Sequence, residues 1–287
     1  MDKRGITIFA GVMAGATLAV QAFYSFPILL GSVGLQVPGF PFTLPLLWLP
    51  ALAAFLGAGL SGDDAVPRLR VWPVPWKPVL ALALGIPLAF AAVGVLCMTA
   101  DWVKLDRGML TFVMELPPSL GASKWSAGQL TALFWFALIL STVLGPTLFA
   151  LLWLGAEIGW RDYLLPKLLP LGRVPAYAIT GAVWGLWMAW LGLFSGEEQG
   201  AFPLLRCVVW GMVVGTFLAE IWRRGRSVGL AAIAFGAYSA QALGIWPHVF
   251  VGKQAPAWCG PNGWISIAVW AVIAAVLFIW PEEKPEK

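Results

Sequence analysis

The chain has 287 residues and a net charge of +4; 60% of its residues are hydrophobic and only 11% are charged. Water-soluble domains carry charge on roughly a quarter of their residues, so this composition and a mean hydropathy of +0.83 argue against a soluble domain and indicate a membrane protein. The basic residues lie in short segments between apolar stretches and form no basic run, so we expect no nucleic-acid partner.

Apolar stretches of about 20 residues match the thickness of the bilayer hydrocarbon. In chain order, we predict spans near 6–31, 44–61, 78–98, 129–155, 174–194, 201–221, 228–247 and 263–280. The first has signal-peptide features, but its apolar run continues past them, and we expect it to stay uncleaved. The fourth contains Gly145-Pro146, where we expect a kink or a tilt. The sequence therefore predicts an all-α membrane protein, a polytopic bundle of about eight transmembrane helices forming a single domain, 1–287.

Lys and Arg are distributed unevenly between the two sides that eight spans define. Thirteen fall on the side of both termini and five on the other. Cytoplasmic loops carry the excess of basic residues, so we expect cytoplasmic N- and C-termini and a location in the bacterial inner, or plasma, membrane. The longest outer segment, 99–128, is expected to form an amphipathic surface helix; the alternative is a lid for a substrate or partner.

Cysteine and histidine give no pattern of a metal or redox centre. Cys97, Cys207 and Cys259 share no close spacing, and an odd number argues against a disulfide framework, so we expect three buried thiols. The single histidine, His248, follows the seventh span in an outer loop. A zinc site needs three or four His, Cys or carboxylate ligands, so we predict no metal and no cofactor.

Two carboxylates, Glu157 and Glu220, lie at or near the ends of predicted spans. Ionisable groups in a membrane are functional candidates, because burying their charge there is costly. Glu157 and Arg161 are four residues apart, which places them on one helical face as a possible ion pair. Glu220 has Arg223 and Arg224 one turn away, and we expect a structural role for it.

Three segments resemble one known family. The run Glu157-Ile158-Gly159-Trp160-Arg161-Asp162-Tyr163-Leu164-Leu165-Pro166 is similar to the first motif, E-E-x-x-x-R, of the CPBP (Abi) intramembrane peptidases, which include the CAAX prenyl endopeptidases. Gly181–Met188 resembles the second motif, W-G-x-W-H, and Arg226–Ser239 the third, H-x-x-x-N. The resemblance covers about 150–245, and the family's helical layout agrees with eight spans.

The resemblance also implies which positions would carry catalysis. In the family, the first Glu activates water, and two His and an Asn hold that water and polarise the peptide. Those positions are substituted here, by Ala156, Met188, Phe235 and Ser239 respectively, whereas Glu157 and Arg161 are retained as the candidate catalytic residues. Peptide hydrolysis needs a base and oxyanion donors, which alanine, methionine and phenylalanine cannot supply; serine can still donate one hydrogen bond.

Three functions remain open at this point. The first is an inactive pseudo-peptidase, a scaffold or regulator that binds membrane lipid, a membrane protein or a prenylated or otherwise lipidated peptide. The second is an active endopeptidase of the CAAX-processing type with a rearranged site at Glu157, Arg161 and Ser239. The third is a proton- or cation-coupled carrier or channel using Glu157. G-x-x-x-G motifs permit close helix contacts that would maintain the fold after loss of catalysis; they begin at Gly155, Gly181 and Gly211.

Overall fold

The structure, a computed structural model, describes residues 3–31, 43–62, 69–72, 74–106, 110–115, 124–191, 201–252 and 255–281. Its helices are α1 (Lys3–Gly31), α2 (Thr43–Ser61), α3 (Trp76–Thr99), α4 (Leu110–Glu115), α5 (Ala127–Leu144), α6 (Ala150–Glu157), α7 (Leu165–Leu168), α8 (Arg173–Leu191), α9 (Ala201–Gly225), α10 (Val228–Ala242), α11 (Trp246–Val249) and α12 (Trp264–Ile279). Two short strands, β1 (Lys104–Leu105) and β2 (Phe250–Val251), pair antiparallel. The all-α prediction is confirmed.

Within the described residues, five helical stretches are long and apolar enough to cross a membrane. They are Trp76–Thr99, Ala127–Leu171, Phe202–Gly225, Val228–Val249 and Ala257–Ile279. The protein is therefore an integral membrane protein. These stretches coincide with five of the eight predicted spans. The other three predicted spans fall on α1, α2 and α8; α2 contains a shorter apolar helix, Leu46–Ser61.

Residues 127–171 form one continuous helix that contains two π-helical segments, Gly145–Phe149 and Ile158–Leu164. Pro146 has no amide hydrogen to donate, so the regular α-helical hydrogen bonding is already interrupted there. The sequence predicted a kink or a tilt at Gly145-Pro146; the structure has a π-helical segment there. The helix extends beyond the end of the predicted span 129–155: after Glu157 it continues as a π-helix, a conformation often found at functional sites.

Glycines bring helices into backbone contact. A Cβ added to Gly181 of α8 would lie 2.6 Å from Met212 Cα of α9, and one added to Gly211 would overlap the backbone of α8. Gly155 of α6 packs in the same way against Trp48 of α2, where an added Cβ would lie 2.6 Å from the Trp48 Cα. The close approach predicted from the G-x-x-x-G motifs is therefore confirmed at these helix pairs.

One end of the bundle, which we call the disulfide end, joins the last turn of α3 to the segment before α12. Cys97 forms a disulfide with Cys259, with Cα atoms 6.1 Å apart and a sequence separation of 162. The expectation of three thiols is wrong, because a pairing over such a distance leaves no mark in local spacing. Cys207 is a buried thiol whose sulfur accepts a hydrogen bond from Asn262 Nδ2 at 3.1 Å.

The opposite end, which we call the arginine end, gathers the start of α8 and the ends of α9 and α12. Arg173 Nη2 donates to the carbonyl oxygen of Phe278 at 2.9 Å. Ser227, which caps α10, donates to the Val71 carbonyl oxygen at 3.0 Å, so α3 begins near this end and runs to the disulfide end. The grouping of Arg70, Arg173 and the Arg223–Arg226 segment on one side agrees with the predicted alternation of loops.

Of the outer segment 99–128, the structure describes β1 and the six-residue helix α4; 107–109 and 116–123 lie outside the described residues. His248, predicted in a loop, lies in the short helix α11, where its ring is 5.2 Å from that of Phe112.

Candidate functional site

The six positions that the sequence analysis selected are all buried. They are Ala156, Glu157, Arg161, Met188, Phe235 and Ser239, and none is more than 1% exposed. Three elements carry them: the long helix at α6 and its π-helical continuation, α8, and α10. These elements pack against one another, and the three apolar substitutes belong to a single buried hydrophobic cluster. Three segments far apart in sequence thus meet in one core.

Glu157 and Arg161 form the ion pair that their spacing predicted. Arg161 Nη1 donates to Glu157 Oε1 at 3.1 Å. Among the described residues, neither Glu157 Oε2 nor Arg161 Nη2 has a hydrogen-bond partner. The pair is completely shielded from the exterior, so each charge depends mainly on the other for stabilisation.

An aromatic ring supports this ion pair from α8. The Arg161 guanidinium carbon lies 4.5 Å from the centre of the Trp184 ring, a cation–π contact. Trp184 in turn stacks on Trp210 of α9, with ring centres 4.9 Å apart. Opposite this contact, a Cβ added to Gly215 would lie 3.7 Å from Arg161 Nη2. That distance is an ordinary van der Waals contact; the closer neighbour of such a Cβ is the Gly181 Cα of α8, at 3.1 Å.

Phe235 fills the centre between the three elements. Its ring centre is 4.6 Å from that of Trp153 and 5.0 Å from that of Trp184. Tyr238 stacks against it at 5.9 Å, and the Tyr238 hydroxyl accepts a hydrogen bond from Trp210 Nε1 at 2.8 Å. Where the family resemblance implies a histidine, this protein therefore has a phenyl ring surrounded by other rings.

The Ser239 hydroxyl is already engaged within its own helix. Its oxygen lies 2.8 Å from the Phe235 carbonyl oxygen and 3.2 Å from that of Gly236, and donates towards them. A hydroxyl has a single proton, so the one hydrogen bond that Ser239 can donate is used by the backbone of its own helix.

A second buried carboxylate, Glu220, is bound by more groups than the sequence indicated. Arg223 Nη2 and Arg224 Nε donate to Oε2 at 2.8 and 3.3 Å, as the helical spacing predicted. Arg173 donates to Oε1 through Nε at 3.0 Å, and Tyr177 does so at 2.9 Å. These two partners from α8 lie more than 40 residues from Glu220 in sequence, so helical spacing could not identify them. The only sequence signal for Arg173 was its predicted location on the same side of the membrane as Arg223 and Arg224.

Among the residues that the structure describes, no group of three or more His, Cys, Asp and Glu side chains could hold a metal ion. His248 and the carboxylates of Glu157 and Glu220 lie on different elements, α11, α6 and α9. The chemistry available at the centre is therefore that of one ion pair among aromatic rings.

Comparison with known proteins adds no assignment. No protein-family model matches the chain, and no curated protein matches its sequence.

Proposed function

We propose that this protein is a noncatalytic relative of the CPBP intramembrane peptidases that acts as a membrane scaffold or regulator. The observation that carries the proposal is the packing of Phe235 between Trp153 and Trp184, in a centre that also buries Ala156 and Met188. A peptidase must bring water and a peptide carbonyl to a base. Aromatic and aliphatic groups occupy the positions from which the family's base and donors would act.

The retained residues support the same proposal. Glu157 Oε1 is occupied by Arg161, and both side chains are buried, so this carboxylate is held in an ion pair away from bulk water. Ser239 uses its proton on the backbone of α10. These contacts weigh against a rearranged peptidase site. They also weigh against a carrier. Glu157 and Arg161 together are neutral, so the carboxylate is paired with an arginine and not with a transported proton or cation.

Relationship to the family is supported by the way the three motif-like segments meet. Motifs from the long helix, α8 and α10 contact one another in a single core, as residues of one ancestral active site would. The partner we propose is a membrane protein or a prenylated or lipidated peptide, bound without cleavage. Binding of this kind uses helix surfaces and leaves the closed centre intact.

We propose eight spans with both termini in the cytoplasm of a bacterial inner membrane. Two independent features agree on this orientation. The arginine end carries the basic residues typical of cytoplasmic segments, and the disulfide between Cys97 and Cys259 lies at the other end, which would face the oxidising side of the membrane. In right-side-out vesicles that have been reduced, an impermeant maleimide should label Cys259, which is partly exposed, whereas Cys97 is buried. Labelling of Cys259 only in inverted vesicles would reverse the orientation.

The decisive experiment measures cleavage of prenylated and membrane-embedded peptides by the purified protein in liposomes. We expect the native protein to bind a fluorescent farnesylated peptide and leave it intact, with the same result for Glu157→Ala. Cleavage by the native protein that disappears in Glu157→Ala would refute the proposal. The matched control restores the family pattern with Ala156→Glu, Met188→His, Phe235→His and Ser239→Asn together. Cleavage by the native protein as fast as cleavage by this variant would also refute it.

A further inference from the structure

Two widely exposed tryptophans lie close together in sequence where the chain enters α3. Trp72 is 77% exposed and Trp76 68% exposed. They belong to residues 69–72 and 74–77, which we call the interface segment. An indole ring carries a large apolar area, and leaving such an area in water is unfavourable. Large exposed apolar groups of this kind mark surfaces that meet a protein partner or a membrane.

The interface segment is fixed to the bundle through its backbone. The Leu69 amide donates to Asp162 Oδ2 of the long helix at 2.9 Å, and the Val228 amide at the start of α10 donates to the Arg70 carbonyl oxygen at 2.9 Å. The Val71 side chain packs inward against the buried cluster that contains Val228. The outward position of the neighbouring indoles is therefore a property of the fold.

Trp76 begins an exposed row of apolar side chains on α3. Leu80, Leu84 and Leu88 follow it at four-residue intervals, and all are exposed. The row belongs to the membrane-crossing stretch Trp76–Thr99, so the leucines face lipid chains and Trp76 stands where the hydrocarbon ends.

The ends of other helices mark the same level. Val228, which binds Arg70, begins α10 shortly after α9 ends at Gly225. Arg224, next to that end, donates to the Trp280 carbonyl oxygen at 2.6 Å, and Trp280 is itself 63% exposed. Four of the membrane-crossing stretches in the described part of the chain thus begin or end here, where tryptophan is typically enriched.

Basic side chains flank the two indoles. Arg70 and Lys77 are exposed, and Lys77 Nζ lies 6.0 Å from the centre of the Trp76 ring. Long basic side chains at such positions place their stems along apolar groups and their charged ends in the polar layer of the membrane. The interface segment therefore combines apolar rings with cations that can reach further outward.

We propose that the interface segment is an anchor in the phospholipid headgroup layer. The indoles of Trp72 and Trp76 lie between the lipid chains and the headgroups, and Arg70 and Lys77 extend to lipid phosphates. The partner of this surface is thus the bilayer itself. The anchor lies apart from the closed centre and does not depend on the proposed pseudo-peptidase function.

The test measures depth in phosphatidylcholine liposomes with a nitroxide attached to Trp72→Cys or Trp76→Cys in the full-length protein. Relaxation by oxygen, which enters the bilayer, and by a water-soluble nickel complex gives the depth of each label. We expect both labels between about 15 and 20 Å from the bilayer centre, the level of the headgroups. The matched control is Leu88→Cys, since Leu88 is as exposed as Trp76. Its label should lie about 18 Å deeper along α3, because each residue adds about 1.5 Å.

Three outcomes would overturn the anchor. Labels at 72 and 76 that meet the nickel complex as freely as a soluble peptide would place the interface segment in water. Labels shielded from both reagents would mean that a protein partner or a second copy covers it. Labels as deep as that of Leu88→Cys would place it in the hydrocarbon.

A label at Lys77→Cys repeats the measurement with both indoles in place. We expect it in the same headgroup layer, and a label there in bulk water would overturn the anchor whatever the two tryptophan variants report. Labelling without reductant keeps the Cys97–Cys259 disulfide intact, and the unsubstituted protein measures the background from the buried Cys207 thiol. Thermal unfolding in detergent checks that each variant is folded.

Discussion

The two buried carboxylates of this protein are neutralised in opposite ways. Glu157 meets one arginine in the interior, where Arg161 is itself only 1% exposed. Glu220 meets three at the end of the bundle, all of them partly exposed, and both of its oxygens accept hydrogen bonds. At the arginine end, water and more than one cation can stabilise the charge of the Glu220 carboxylate. In the interior, Arg161 alone must stabilise the charge of the Glu157 carboxylate.

This difference separates two roles for buried charge. An interior ion pair contributes little net stability, because desolvation of both groups offsets their attraction. Glu157 and Arg161 are therefore best understood through what they hold in place, the contact of Arg161 with Trp184 on α8. Glu220 instead orders three arginines that retain contact with the exterior.

Removal of the cation from the interior pair should give the largest effect. Arg161→Met leaves the Glu157 carboxylate buried and unpaired, and we expect a loss of about 3–5 kcal/mol in the free energy of unfolding. Denaturant or thermal unfolding in a fixed detergent measures it.

The double variant Glu157→Leu with Arg161→Met removes both charges and serves as the control. We expect it to recover most of the lost stability, since replacing a buried ion pair by apolar groups is often close to neutral. A double variant no more stable than Arg161→Met would mean that the guanidinium contributes mainly by packing on Trp184, and the contrast between the two carboxylates would fail.

The sequence predicted local features well and distant contacts poorly, as the two carboxylates illustrate. The four-residue spacing of Glu157 and Arg161 was sufficient to identify the pair, because helical geometry fixes it. The three- and four-residue spacings did the same for Arg223 and Arg224. Tyr177 was missed, since its approach to Glu220 depends on how α8 packs against α9. The disulfide at Cys97 was missed for the same reason. Such contacts are properties of the folded bundle.

The continuation of the long helix past Glu157 was also hidden. The fourth predicted span ended at 155, whereas the segment that follows Glu157 has a π-helical pitch that no hydrophobic periodicity of 3.6 residues reveals. The central packing was easier to anticipate, because Met188 and Phe235 are apolar residues at positions where the family resemblance implies histidines.

The contact between α8 and α9 positions groups of both carboxylate sites, so a change there should disturb them together. Gly211→Ala adds a methyl group that overlaps the α8 backbone, and we expect a loss of about 1–3 kcal/mol through overpacking. Unfolding in detergent gives the value. Gly85→Ala in α3 is the control: an added Cβ there has no described atom within 4 Å, and we expect a gain of about 0.5–1 kcal/mol from better helix propensity. Equal effects of the two changes would contradict the close packing.

The smallest effect is expected at Glu220, where donors are redundant. Tyr177→Phe removes one hydrogen bond to Oε1 and keeps the ring beside Phe278. Arg173 continues to donate to the same oxygen, so we expect a loss of only about 0.5–1.5 kcal/mol in the free energy of unfolding. The same unfolding measurement checks it. A loss as large as that of Arg161→Met would mean that Glu220 depends on each partner as strictly as Glu157 depends on Arg161, and that exposure to water at the arginine end does not compensate for a missing donor.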